Sequence, residues 1–321
     1  AEGEGEGSAE GEGEGEGSAE GEGEGEPPCP GYPLSAVYAI GSASRSYSDA
    51  SRSNRSIPVT LYYPATSAGA NAPVAGDAAT RFPLVVFGHG FTIGIANYKY
   101  VSDYLVPRGF CVAFVDTEGS FLPNHTNFGK DLAFVVDALQ AEGSSTGALL
   151  SQHLSGKSAV MGHSMGGGAS FLAVQYSSNI DALVTMAAAE TNPSAVAAAG
   201  SIGLPALVLA AGNDKVAPPS SNQVLMYNAL ISSCKYLATE TNGSHCNYAP
   251  GSTTCSLGEG TVCLGCSYMD GNLQRSIALE SAAEFLKGYL EPCAQPKIDL
   301  ETTLATQQTA GNVTYQVICA P

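Results

Sequence analysis

The chain has 321 residues, with 30 Asp and Glu against 13 Lys and Arg, a formal charge of −17. That balance excludes the basic surface of a nucleic-acid binder, and no apolar run reaches the roughly 18–20 residues of a membrane-spanning helix. Nine cysteines point to an oxidising compartment, and tryptophan is absent.

The first 26 residues are an acidic repeat: residues 7–16 read GSAEGEGEGE and recur unchanged at 17–26. With no apolar side chain larger than alanine, this stretch cannot offset its chain entropy, so disorder is expected. So simple a repeat reads as an appended tag or linker. It holds 11 of the 30 acidic residues, which leaves 19 acids against 13 bases in residues 27–321, a net charge of −6. The remaining length suits one large α/β domain over 27–291 with a short disulfide-linked extension over 292–321. No signal peptide heads the chain; if the protein is exported, this is a mature form with an altered N-terminus.

Residues 36–40 and 57–63 alternate β-branched and aromatic side chains, as an antiparallel edge would. From residue 84 onward apolar runs alternate with amphipathic stretches. Strands are predicted at 84–88, 111–116, 158–162, 182–187, 206–211 and 235–239, and helices at 98–107, 128–142, 164–177, 220–231 and 272–290. This alternation implies a mostly parallel sheet with helices on both faces. Function in such sheets gathers beyond the carboxyl ends of the strands, which singles out residues 89–91, 164, 189–191, 214 and 245.

In a chain of 38 glycines the pattern G-x-S-x-G alone says little. Gly143-Ser144-Ser145-Thr146-Gly147 follows a helix, has no strand before it and reads as a polar turn. Gly162-His163-Ser164-Met165-Gly166-Gly167-Gly168 follows the apolar run Ser158-Ala159-Val160-Met161 and opens a helix, the setting in which a serine nucleophile sits on a sharp turn. Ser164 needs a base, and the base needs an orienting group. Of five histidines, His89 belongs to a loop suited to supplying an oxyanion N–H. His163 is expected to point away into the sheet packing, and His125 and His153 fall in polar loops. His245, just past the last strand, is the best base. Asp214, in Asn213-Asp214-Lys215, stands beyond the strand at 206–211; it could simply cap a turn. The order Ser164, Asp214, His245 favours a catalytic role.

Residues 34–291 resemble an α/β-hydrolase. Gly88-His89-Gly90-Phe91-Thr92, Val115-Asp116-Thr117, the Ser164 turn, Asn213-Asp214-Lys215-Val216-Ala217-Pro218 and Gly243-Ser244-His245 are similar to the polyester hydrolase and cutinase branch. Platelet-activating-factor acetylhydrolases and dienelactone hydrolases resemble the chain more distantly, the latter with a cysteine nucleophile where this chain has Ser164. The resemblance implies an oxyanion hole from the Phe91 and Met165 backbone N–H groups, and it makes Phe91, Glu190 and Thr191 substrate-contacting candidates. Two departures stand out. Ala188-Ala189-Glu190-Thr191-Asn192 fills the loop where polyester hydrolases usually carry a tryptophan. A cysteine-rich insertion, residues 246–268, directly follows His245 and could wall the cleft or merely brace it.

Six cysteines crowd the stretch from Cys234 to Cys293. Cys111 lies in an apolar strand and is expected to be a free, buried thiol, leaving eight for pairing. Cys263-Leu264-Gly265-Cys266 has zinc or redox spacing but no matching second pair, so a structural disulfide role is expected. The tail beyond residue 291 reads as one alternating strand, with a Cys293–Cys319 bridge as its staple.

The leading expectation is a secreted or periplasmic bacterial serine esterase, monomeric, needing no metal or cofactor, acting on polyester, cutin-like or lipid esters. A small-ester acetylhydrolase or thioesterase without polymer activity is the alternative within enzymes. A catalytically silent hydrolase fold used for binding is the alternative outside them. The bacterial origin rests on Asn242-Gly243-Ser244, a glycosylation sequon touching His245, since a glycan there would obstruct the cleft. Asn54, Asn124 and Asn312 begin further sequons.

Overall fold

A computed structural model describes Ala1, Gly3, Cys29, Tyr32 and residues 34–262, 265–291 and 293–319. The disorder expected of the acidic repeat falls, apart from Ala1 and Gly3, outside the described residues. The hairpin of β1 (Ala39–Asp49) and β2 (Arg55–Ala65) opens the fold, with the two-residue strand β3 (Gly69–Ala70) beside β1. Strands and helices then alternate: β4 (Phe82–Gly88), α1 (Lys99–Leu105), β5 (Cys111–Val115), α2 (His125–Ser144), β6 (Leu154–His163) and α3 (Met165–Ala173). β7 (Ala182–Met186), α4 (Ala195–Ala199), β8 (Ala206–Ala211), α5 (Gln223–Ala229) and β9 (Cys234–Glu240) follow. The chain closes with α6 (Thr253–Val262), α7 (Gly271–Leu290), α8 (Gln295–Thr309) and β10 (Val313–Cys319).

One sheet joins the strands in the order β10-β9-β8-β7-β6-β4-β5-β2-β1-β3. Its centre, from β5 through β9, is parallel, while β2 on one flank and β10 on the other pair antiparallel. β4 shows the cause. Leu84 and Val86 pack in one core with Leu132 and Val136 of α2 and Leu172 of α3. Val85 and Phe87 pack in the other, with Val101 and Leu105 of α1 and Phe285 of α7. A strand covered on both faces carries no polar position, hence the unbroken apolar run; each such side chain contributes about 1.5–3 kcal/mol on burial. α2 starts where the Asn124 side chain accepts the Asn127 N–H at 2.9 Å, and Phe128, Leu132, Val135, Val136 and Leu139 form its buried stripe.

Three expectations change. β1 runs on to Asp49, well past residue 40, although Ser44, Ser46 and Ser48 are exposed. Near the sheet edge one face stays wet, so the strand reads as polar. The tail holds α8 as well as β10; only Pro296, Leu300 and Leu304 of α8 are buried, too thin a stripe to announce a helix. The Cys293–Cys319 bridge does not form. Cys293 joins Cys29 and Cys319 joins Cys234, which lies opposite it in the β10–β9 register. The 15 residues of α8 carry the chain about 22 Å from Cys293 before β10 begins.

Cys246 pairs with Cys255, Cys266 is also disulfide-bonded, and Cys263 lies outside the described residues. Cys111 is free and buried, and burial pushes its thiol far above the usual range. Among the described residues no helix is long and apolar enough to cross a membrane.

Candidate active site

Every residue of the turn from β6 into α3 is buried. Ser164 adopts φ 56° and ψ −122°, a region that costs an L-residue about 1–3 kcal/mol. Surrounding backbone holds it there: Ser164 N–H donates to Met186 O at 3.0 Å, and Ser164 O accepts from Gly168 N at 3.0 Å and Ala189 N at 2.9 Å. The flanking glycines are needed for close approach. A Cβ on Gly166 would collide with the Gly88 carbonyl at the end of β4, and one on Gly162 with the backbone of Gly166. Ser145, in the second G-x-S-x-G match, is instead the exposed C-cap of α2, its Oγ donating to Ala141 O at 2.7 Å.

His245 Nε2 lies 2.9 Å from Ser164 Oγ, and its Nδ1 lies 2.6 Å from Asp214 Oδ2. A carboxylate only accepts, so Nδ1 carries the proton and Nε2 is left to accept from the serine hydroxyl. Asp214 Oδ1 accepts from Val216 N at 2.8 Å and Ala217 N at 2.7 Å. The aspartate thus caps its turn and holds the histidine at once. All three residues are buried, and the donors around Asp214 compensate for the water it has lost.

The other sequence-predicted positions spread around this chain. Among the described residues no backbone acceptor meets the N–H of Phe91 or Met165. His89 is buried, its ring nitrogens 2.8 Å from Gly90 O and 2.8 Å from Thr117 O. Glu190 is exposed, accepts from Val196 N at 3.1 Å and donates its own N–H to Asn222. Thr191 is buried and donates to Pro193 O at 2.7 Å. His125, expected in a loop, is the first residue of α2 and accepts from Asn192 N–H.

His163 is buried as expected, yet it is more than packing. Gly90 N–H donates to Tyr98 OH at 2.9 Å, and Tyr98 OH lies 2.8 Å from His163 Nδ1. His163 Nε2 lies 3.1 Å from His245 O. A carbonyl can only accept, so Nε2 carries the proton and Nδ1 accepts from Tyr98. The relay ties the loop before Phe91 to the backbone of His245. Burial, and then the neighbouring His245, push the His163 imidazole well below its ordinary range, so it stays neutral.

Side chains from the C-terminal part hold the His245 loop. Gln274 of α7 accepts Ser244 N–H at 2.9 Å and donates to Ser244 O at 2.8 Å. Glu259 of α6 accepts from Ser244 Oγ at 2.5 Å and His245 N at 2.8 Å. Tyr248 OH donates to Glu240 Oε2 at 2.5 Å, and burial pushes the Glu240 carboxyl up to about 8. Sequence reasoning missed Tyr98, Gln274 and Glu259. Each is a common residue type on a helix, and only long-range folding brings it to the site. Among the described residues no group of three His, Cys, Asp or Glu is arranged to hold a metal. A groove of about 900 Å³, lined by Tyr38, Arg81, Phe82 and Arg108, opens at the amino end of β4 and contains none of the candidate residues.

Comparison with known proteins bears on the same region. A family model described as PETase, PET hydrolase-like, matches residues 39–284. A bis(hydroxyethyl) terephthalate hydrolase of Streptomyces coelicolor is 26% identical over 203 residues, 63% of this chain and 59% of that protein. Cutinase est1 of Thermobifida alba is 24% identical over 199 residues, 62% of this chain and 60% of that protein. Cutinase cut1 of Thermobifida fusca is 25% identical over 191 residues, 60% of this chain and 54% of that protein. The chain thus spans less than two thirds of the length of the curated relatives it matches.

Proposed function

The chain belongs to the PET hydrolase-like family, and from that premise we propose that it is a serine carboxylic-ester hydrolase. Ser164 Oγ attacks the ester carbonyl while His245 Nε2 takes its proton, and Asp214 steadies the imidazolium that results. The oxyanion is met by the N–H groups of Phe91 and Met165, neither of which has a backbone acceptor among the described residues. Such a pair lowers the barrier by a few kcal/mol. His245 then returns the proton to the departing alcohol, leaving an acyl group on Ser164. Water, deprotonated by the same histidine, releases the acid. The observation that carries this reading is the hydrogen-bonded chain Asp214–His245–Ser164, at 2.6 and 2.9 Å, on a strained turn between strand and helix.

The substrate is proposed to be an apolar ester, polymeric or lipid-like. Phe91, Phe121, Leu122 and Val216, from the loops after β4, β5 and β8, are 43, 78, 91 and 47% exposed, and the Phe91 and Phe121 rings stand edge to face at 6.2 Å. Those loops leave the carboxyl ends of the strands, on the rim that carries the triad. The names of the relatives, a terephthalate-ester hydrolase and cutinases, agree with such a substrate. The disulfides support export to an oxidising compartment.

A second reading, small-ester activity without action on polymers, is favoured by the lack of tryptophan and by Glu190 and Thr191 bonding to neighbouring backbone. Initial rates on a p-nitrophenyl ester series, set beside acid release from a polyester film, test both readings. Ser164→Ala is expected to abolish hydrolysis and Ser145→Ala to leave it intact. Activity on esters with none on film selects the second reading, and an active Ser164→Ala rejects Ser164 as the nucleophile in either.

A further inference from the structure

Helix α6 is built inside out. Of its ten residues Glu259 is the buried one, whereas Leu257 and Val262 are 71 and 55% exposed. A surface helix ordinarily turns its leucines inward and its carboxylates outward, and a buried carboxylate is costly unless donors replace its water. Here three donors come from the loop of His245, and Tyr268 also lies close to the carboxylate. Glu259 Oε1 accepts the His245 backbone N–H at 2.8 Å, and Oε2 accepts from Ser244 Oγ at 2.5 Å and Cys246 N at 3.4 Å. The Cys246–Cys255 disulfide fastens the same loop to the first turn of α6. The His245 backbone is thus held from both sides, its N–H by Glu259 and its C=O by His163.

We propose that Glu259 is a positioning residue for His245. Its carboxylate holds the histidine backbone where the ring spans Asp214 and Ser164, and its charge lies beside the imidazolium formed when the serine proton arrives. This rests on the ester-hydrolase reading above. The insertion after His245 then does more than brace the chain at a distance; it delivers one carboxylate to the His245 backbone.

The charge matters as well as the shape. The titratable groups packed about His245 are Asp214 after β8, His163 at the end of β6 and Glu259 on α6. Tyr98, Tyr248, Tyr268 and Glu240 form the next layer. Asp214 and Glu259 are the acids that hydrogen-bond to His245, one at the ring and one at the backbone. Removing the charge of Glu259 makes protonation of the ring less favourable, which moves the acid limb of kcat/KM to lower pH.

The test sets Glu259→Ala and Glu259→Gln beside wild type and Ser164→Ala, on a soluble p-nitrophenyl ester across pH. Active sites are counted by fluorophosphonate labelling, so misfolded protein drops out. Glu259→Ala is expected to lose about 10²-fold in kcat per labelled site, with KM little changed. Glu259→Gln, whose amide oxygen still accepts the His245 N–H, should recover most of kcat yet show the acid limb at lower pH. Should Glu259→Ala yield no labelled enzyme, Glu259→Gln alone decides. A wild-type pH profile in Glu259→Gln, or wild-type kcat in Glu259→Ala, would overturn the proposal. Activity in Ser164→Ala would overturn the assignment of Ser164 as the nucleophile that His245 serves, whatever the Glu259 variants do.

Discussion

The turn carrying Ser164 and the loop carrying His245 meet at one hydrogen bond, yet they are held by unlike means. Around Ser164 the restraints are backbone on backbone: three main-chain hydrogen bonds and glycines at which a Cβ would strike a neighbouring strand or helix. Around His245 the restraints are side chains reaching in from elsewhere, Gln274, Glu259 and His163, with a disulfide beside them. The strained turn of Ser164 therefore depends on local sequence and on the parallel strands next to it. The proposed base, His245, sits in a loop held in part by side chains of α6 and α7. Steric perturbation should harm the first, and loss of polar or covalent ties the second.

The largest expected effect falls on the histidine side. Asp214→Asn keeps acceptors for the Val216 and Ala217 N–H groups but turns an NH₂ toward His245 Nδ1. The proton then moves to Nε2, which cannot accept from Ser164, and kcat should fall up to about 10⁴-fold with the fold intact. Near-normal turnover, with an unchanged circular dichroism spectrum, would assign the orienting role to another carboxylate.

The disulfides separate stability from activity. Cys234–Cys319 closes a loop of 85 residues and Cys246–Cys255 one of 9. In the chain-entropy model these contribute about 4–5 and about 2–3 kcal/mol. Of these two, replacing Cys234 and Cys319 by serine should lower Tm more and leave kcat of the folded protein nearly unchanged. Replacing Cys246 and Cys255 should lower Tm less but reduce kcat, because α6 and the His245 loop lose their tie. The reverse pattern, read by thermal melts and steady-state kinetics on one set of samples, would break the comparison.

On the nucleophile side, Gly166→Ala drives a methyl into the Gly88 carbonyl. It should cost about 3 kcal/mol or more in denaturant unfolding, since backbone on both sides of the contact cannot move aside. A variant with wild-type stability would mean that the approach of β4 to α3 is looser than described.

The last effect is a pH slope. Burial raises Glu240 from 4.5 to about 8, so the folded state binds its proton more tightly than the unfolded state does. Its contribution to stability is full below about pH 4.5 and is lost as pH rises toward 8. Glu240→Gln should accordingly flatten the fall of Tm between those pH values. An unchanged slope would show that this carboxyl does not titrate across that range.

Legibility in the sequence followed the same division. The strands at 84–88, 158–162 and 206–211, and the turn at Ser164, were readable because burial on both faces and close backbone approach leave strong local marks, continuous apolar runs and clustered glycines. That Asp214 and His245 stand just beyond β8 and β9 was readable from the apolar runs before them. β1 and α8 were partly or wholly missed because one lies near a wet edge and the other buries few apolar residues. Tyr98, Gln274 and Glu259 left no mark, since their roles arise from contacts across 65, 30 and 14 positions of sequence. The partner of Cys319 depended likewise on the β10–β9 register, which spacing does not encode.

The central claim is that Ser164, activated by His245, is the nucleophile. It is met most directly by treating the protein with a fluorophosphonate and mapping the adduct by peptide mass spectrometry. One adduct per chain, on Ser164, is expected, formed in step with loss of esterase activity and much more slowly in His245→Ala. An adduct on Ser145 or elsewhere, or inactivation that leaves Ser164 unmodified, would contradict it.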